Sequence, residues 1–131
     1  MKIGMLFAVN AVIATAFGLA FTLAPGATLA PYGAADLSAA GLLVARLFGA
    51  ALIGYGIFTW LLRAADPAAQ RVGAIALGVA DGIGTVISAH GVLSGAVNGL
   101  GWSTVAIYAL LCAGYTLHLA RKPAGGLVQP G

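Results

Sequence analysis

A helix that crosses a bilayer needs about 20 mostly apolar residues. Four runs in this chain meet that length: residues 3–24, 39–62, 72–93 and 102–120. Each break between them carries turn chemistry. Pro25, Gly26, Pro31 and Gly33 fill the first. Asp66-Pro67 in the second reads as a helix N-cap followed by proline at the first helical position. Ser94-Gly95, Asn98-Gly99 and Gly101 make the third a tight turn. The pattern predicts an all-α membrane protein, an up-down four-transmembrane-helix bundle over residues 1–122. Residues 123–131, with Pro123, Gly125, Gly126, Pro130 and Gly131, read as a flexible tail. The first run reads as a retained span and not a cleaved leader. Its apolar stretch exceeds the roughly 7–15 residues of a signal core, and cleavage after Ala24 or Ala30 would leave proline directly behind the cut.

Composition fits that reading. Hydrophobic residues make up 61% and charged residues 7% of the chain, against about 25% charged in soluble domains. The net charge of +3 is no nucleic-acid signal, because the basic residues stand apart and form no stripe with interleaved aromatics. Their distribution reports topology instead. With four spans, Lys2, Arg63, Arg71, Arg121 and Lys122 share one side, and the other two loops hold no lysine or arginine. The positive-inside rule then puts both termini in the cytoplasm, in a cell inner (plasma) membrane. Trp60 and Trp102 fall where interfacial anchors sit. So one-sided a bias argues against a dual-topology antiparallel dimer.

Helices in lipid associate through close packing and polar contacts. Gly41, Ala45 and Gly49 recur at four-residue steps on the second span, and Ala74, Gly78 and Gly82 on the third. These rows suit packing inside the bundle or a homo-oligomer face.

Two charges lie inside spans, where each costs roughly 2.5–3.5 kcal/mol on insertion scales. Arg46 is about 8 residues from the outer end of span 2 and Asp81 about 12 from that of span 3, a depth difference of roughly 6 Å. Adjacent spans joined by a short loop should be antiparallel neighbours, so an Arg46–Asp81 ion pair is expected. Asn10 falls near the depth of Asp81 as a hydrogen-bond partner, and Thr85 and Ser88 follow Asp81 by one and two turns. The pair would either staple spans 2 and 3 or line a polar cavity.

The other polar groups add little. His90 and His118 are expected at opposite membrane faces and cannot share a metal or haem. Cys112 is the single cysteine, so an intramolecular disulfide and CxxC chemistry are excluded. Tyr108, Cys112 and Tyr115 share a face of span 4, suited to core packing or to a lipid-like ligand or quinone. Asp36 and Asp66 lie on opposite sides of the membrane, and no catalytic constellation appears.

The run Leu43-Val44-Ala45-Arg46-Leu47-Phe48-Gly49, continuing through Gly54-Tyr55-Gly56 to Trp60 and Arg63, resembles a group of small bacterial four-span proteins loosely related to the DoxX-like families. So does Gly91-Val92-Leu93-Ser94-Gly95 followed by Asn98 to Trp102. In that group the arginine of the AR-x-FG segment matches Arg46. Many members carry asparagine where this chain has Asp81, a departure that favours a polar clamp over an ion-pair mechanism. Some DoxX-like relatives are subunits linked to quinone oxidoreduction.

The expected role is a non-enzymatic accessory or assembly subunit of a membrane complex. Its partners would be the bilayer and another membrane protein or a second copy. The rival readings are a lipid or quinone site using Arg46, Asp81 and Tyr108, or a proton-linked transporter or channel built on Asp81.

Overall fold

The computed structural model describes residues 2–34 and 36–121. Every regular element among them is helical: α1 (Ile3–Leu23), the short α2 (Pro25–Leu29), a 3-10 turn (Ala30–Tyr32), α3 (Ala39–Leu62), α4 (Pro67–Leu93) and α5 (Gly101–Arg121). Four of these are long and apolar enough to cross a membrane. The tail expected over 123–131 lies outside the described residues.

The local starts and stops follow from side-chain chemistry. Ser38 caps α3 by accepting from the Gly41 amide at 3.1 Å. Asp66 caps α4 by accepting from the Ala68 and Ala69 amides, each at 2.9 Å, with Pro67 in the first turn. The third helix therefore begins before the apolar run that starts at residue 72; the cap, not the hydropathy, sets its first residue. Gln70 reaches back across the loop and donates to the Leu62 and Arg63 carbonyls at 3.3 and 3.2 Å, which satisfies acceptors that the end of α3 leaves open.

The four spans form two antiparallel pairs, α1 with α3 and α4 with α5. Small residues make both contacts. A Cβ at Gly18 would stand 2.9 Å from the Gly49 carbonyl, and one at Gly49 would stand 2.6 Å from the Thr22 amide. In the other pair, Gly78 faces Tyr115, Gly82 faces Cys112 and Gly84 lies under the ring of Tyr108. The Tyr108, Cys112 and Tyr115 stripe of α5 is thus seated on a glycine row of α4. Gly41 takes no part in helix pairing, since its nearest neighbours are Leu37 and Ser38 of its own approach.

The expectation that α3 and α4 are close neighbours along their length is corrected. They meet near their shared loop, where Gly73 makes room for Leu62, and again at one polar contact described below. The two pairs join at the end where α1 begins, through a core of Leu6, Phe7, Leu62, Ala74, Leu77, Leu111 and Tyr115. There the rings of Phe7 and Tyr115 lie 5.6 Å apart. Towards the other end the pairs diverge. Leu29 and Tyr32, from α2 and the 3-10 turn, roof the gap. The roof is tied to the α4–α5 loop by Asn98, whose side chain donates to the Pro31 carbonyl and whose amide donates to the Tyr32 carbonyl, both at 2.8 Å. Lys2, Arg63, Arg71 and Arg121 all lie at the opposite end from this roof. There the Arg63 guanidinium stacks 3.6 Å from the centre of the Trp60 ring.

Close approach at Gly49 leaves no room for a larger side chain. Gly49→Val is expected to destabilise the protein by about 1–3 kcal/mol or more, whereas Gly54→Ala, inside α3 and with nothing within 4 Å, is tolerated and raises stability by up to about 1 kcal/mol. Equilibrium unfolding in mixed micelles checks both.

Candidate functional site

Asp81 is 2% exposed and Asn10 equally buried at 2%, and they belong to one hydrogen-bonded cluster. The Asn10 amide donates to the hydroxyl of Tyr55 at 3.0 Å and to that of Tyr115 at 2.9 Å. The Tyr55 hydroxyl in turn donates to Asp81 Oδ1 over a long 3.4 Å. Each long helix supplies one member: Asn10 from α1, Tyr55 from α3, Asp81 from α4 and Tyr115 from α5. Asp81 Oδ2 is buried and has no hydrogen-bond partner.

The expected Arg46–Asp81 ion pair is not formed. Arg46 is exposed, and Asp81 is held by Tyr55 instead. The reason is helical geometry. Tyr55 follows Arg46 by nine residues, and at 100° per residue that is half a turn around α3. The face that packs on α1 through Ala45, Gly49 and Gly56 fixes the rotation of α3, which turns Tyr55 towards α4 and Arg46 away from it. Arg46 belongs to the lipid-facing surface, where a long side chain can carry its charge toward the headgroups.

Above the cluster, between the two helix pairs, lies a cavity of about 660 Å³. Asn10, Tyr55 and Asp81 are at its foot, and Leu29, Tyr32 and Val97 line its roofed end. Its walls are otherwise mostly apolar, among them Phe17, Phe21, Leu52, Ile83 and Ile87, with Ser88 and Thr104 as further polar members. Several lining side chains are also open to the surroundings: Phe48 is 44%, Ile83 56% and Ile87 65% exposed. The cavity therefore opens sideways, through the seam between α3 and α4. Tyr108 lines it as well, and its hydroxyl makes no hydrogen bond among the described residues.

The remaining sequence candidates are placed as follows. Asn10 does not bond Asp81 directly; Tyr55 stands between them. Thr85 lies outside the cavity wall, its hydroxyl donating to the Asp81 carbonyl at 2.8 Å, as threonines in helices often do. Ser88 lines the cavity two turns above Asp81. Ala45, Gly49, Ala74, Gly78 and Gly82 face neighbouring helices. No group of three metal-ligating side chains occurs among the described residues. Tyr55 is the member that sequence reasoning missed. Its signal was a lone phenol between Gly54 and Gly56 in an apolar span, since a tyrosine hydroxyl in such surroundings needs a partner.

No protein-family model matches the chain, and no curated protein or solved structure shows significant similarity to it.

Removing the amide hub leaves two phenol oxygens without their donor in an apolar interior. Asn10→Leu is expected to cost about 1–3 kcal/mol. Arg46→Leu should stay within about 0.5 kcal/mol of the parent. Unfolding measurements on both variants test this, and a large loss from Arg46→Leu would contradict the assignment.

Proposed function

We propose that this chain is a multi-pass membrane protein that binds an apolar small molecule, of the lipid or quinone class, between its two helix pairs. The observation that carries the proposal is the cavity of about 660 Å³ with one buried, half-partnered carboxyl at its foot. Small-molecule sites have volumes of roughly 300–1,000 Å³, apolar walls and a few convergent polar groups, and this cavity has all three. An intramembrane ionisable residue is a functional candidate by default. A clamp alone would call for the polar cluster but not for the space above it.

The accessory or assembly role expected from the sequence rests on the lack of catalytic groups. The cavity is a positive feature, so binding is the reading we favour, and a ligand-binding subunit of a larger complex remains compatible with it. Conduction through Asp81 has less support. Beneath the cluster, Phe7, Leu62 and Leu77 belong to a packed apolar core that offers an ion or proton no polar path.

By the same reading the protein lies in a bacterial inner membrane with both termini cytoplasmic. The gathering of basic residues at the end away from the roof supports this, and the cavity then occupies the outer half of the bilayer. The likeness of residues 43–56 to DoxX-like proteins belongs to this proposal too.

Native mass spectrometry of the protein, extracted from its own membrane in mild detergent, tests the binding reading. A retained small molecule is expected in the parent and should be lost from Ala51→Trp, which fills the cavity, while helicity and unfolding temperature are kept. A bare chain, or a molecule retained equally by both, would contradict it. Orientation is tested in a Cys112→Ala background. Ser94→Cys should react with an impermeant thiol reagent from outside and Ala64→Cys only after permeabilisation; the reverse pattern would overturn the topology.

A further inference from the structure

The hydrogens at the foot of the cavity point one way. Asn10 uses both of its amide hydrogens on the Tyr55 and Tyr115 hydroxyls. Because the Tyr55 oxygen is occupied as an acceptor, its own hydrogen goes on to Asp81 Oδ1. Asp81 is therefore the end of the chain, an acceptor that receives and passes nothing on. Its second oxygen, Oδ2, receives nothing. In the carboxylate form a buried acceptor without a donor is costly, so the partner that form of Asp81 lacks is a donor.

Tyr108 supplies the complementary group. Its ring lies across Gly84, three residues after Asp81 on α4 and so about one turn, or roughly 5 Å, nearer the roof. Its hydroxyl has no partner among the described residues, and it lines the same cavity as Asp81. Near its foot the site thus offers one unmet acceptor and one unmet hydroxyl; the remaining walls are mostly apolar, with Ser88 and Thr104 nearer the roof. The side opening past Phe48, Ile83 and Ile87 faces the bilayer, the phase in which an apolar compound would be dissolved.

Building on the binding reading above, we infer that the molecule taken up here is a hydroxyl-terminated apolar compound, an alcohol or phenol. Its O–H donates to Asp81 and its oxygen accepts from Tyr108. Compounds whose polar end only accepts, such as esters, ethers and oxidised quinones, leave Asp81 Oδ2 without a donor. The site selects against them by that margin. A hydrocarbon tail satisfies neither group.

A matched pair of probes tests this: 4-octylphenol and 4-octylanisole, which differ only in that a methyl group replaces the hydroxyl hydrogen. Binding of each is measured on the purified, delipidated protein in nanodiscs. The parent should bind the phenol at least about tenfold more tightly than the ether, since hydrogen bonds to charged groups carry that much discrimination. Asp81→Leu should bind the two alike; if it does not fold, Asp81→Asn fills the same volume and should show a reduced preference. Equal binding of both probes by the parent, with both lost from Ala51→Trp, overturns the hydroxyl assignment while leaving the cavity as a binding site. A preference that survives at Asp81→Leu overturns the role given to Asp81. Binding of neither probe by folded parent protein removes the binding reading itself, and this inference with it.

Discussion

A carboxyl buried in a membrane span needs donors from within the protein, and among the described residues no cation supplies them to Asp81. Tyr55 does, oriented by Asn10, which also holds Tyr115. Because the four residues come one from each long helix, this cluster is a buried polar tie between the two helix pairs, set between the apolar core at one end and the Asn98 tie to the roof at the other. In lipid the hydrophobic effect does not press helices together, so interhelical hydrogen bonds and close packing carry the association. The cluster thus fixes how far the pairs come together. It also marks the level at which they separate to form the cavity above.

Packing and polarity divide the work. Within each pair, glycines let backbones touch: Gly18 against Gly49 in one, Gly78 and Gly84 under the tyrosines of α5 in the other. Between the pairs the contacts are bulkier and fewer, with Phe7 against Tyr115 and Leu62 against Gly73. The hydroxyls of Thr22, Thr59 and Thr85 each donate to the carbonyl four residues before, at 2.7–2.8 Å, so they are quenched within their own helices. At the foot of the cavity, Asp81 Oδ2 and the Tyr108 hydroxyl have no partner among the described residues. The functional reading rests on these two groups and on the space above them.

Much of the architecture was legible in the chain. The four apolar runs map onto the four long helices, and the Asp66-Pro67 cap, not the apolar run beginning at residue 72, marks the start of α4. Asp81 and Asn10 stood out correctly as buried polar residues at one level. What failed was the choice of partner. Arg46 and Tyr55 differ from Asp81 in depth by similar amounts, roughly 6–8 Å at 1.5 Å per residue, so depth alone could not separate them. The face of α3 decides, and that face is set by the packing of Ala45, Gly49 and Gly56 on α1. This is a non-local contact, which the periodicity of one span does not reveal. Of the small-residue row on α3, Ala45 and Gly49 pack towards α1 together with Gly56, two turns beyond Gly49, while Gly41 meets only its own approach; spacing shows that small residues share a face but not which helix they meet. A cavity near Asp81 and Tyr108 was one of the alternatives the sequence offered, but its extent had no signature there, because it arises from the divergence of two pairs and not from any single segment.

The most direct test of this account is an experimental structure of the unmodified protein in its native lipid, read at the level of Asp81. The account predicts two separated helix pairs with Tyr55 against the carboxyl, and continuous non-protein density running from Asp81 to the roof formed by α2. Arg46 seated against Asp81, with α3 and α4 closed along their length and no space between the pairs, would contradict it.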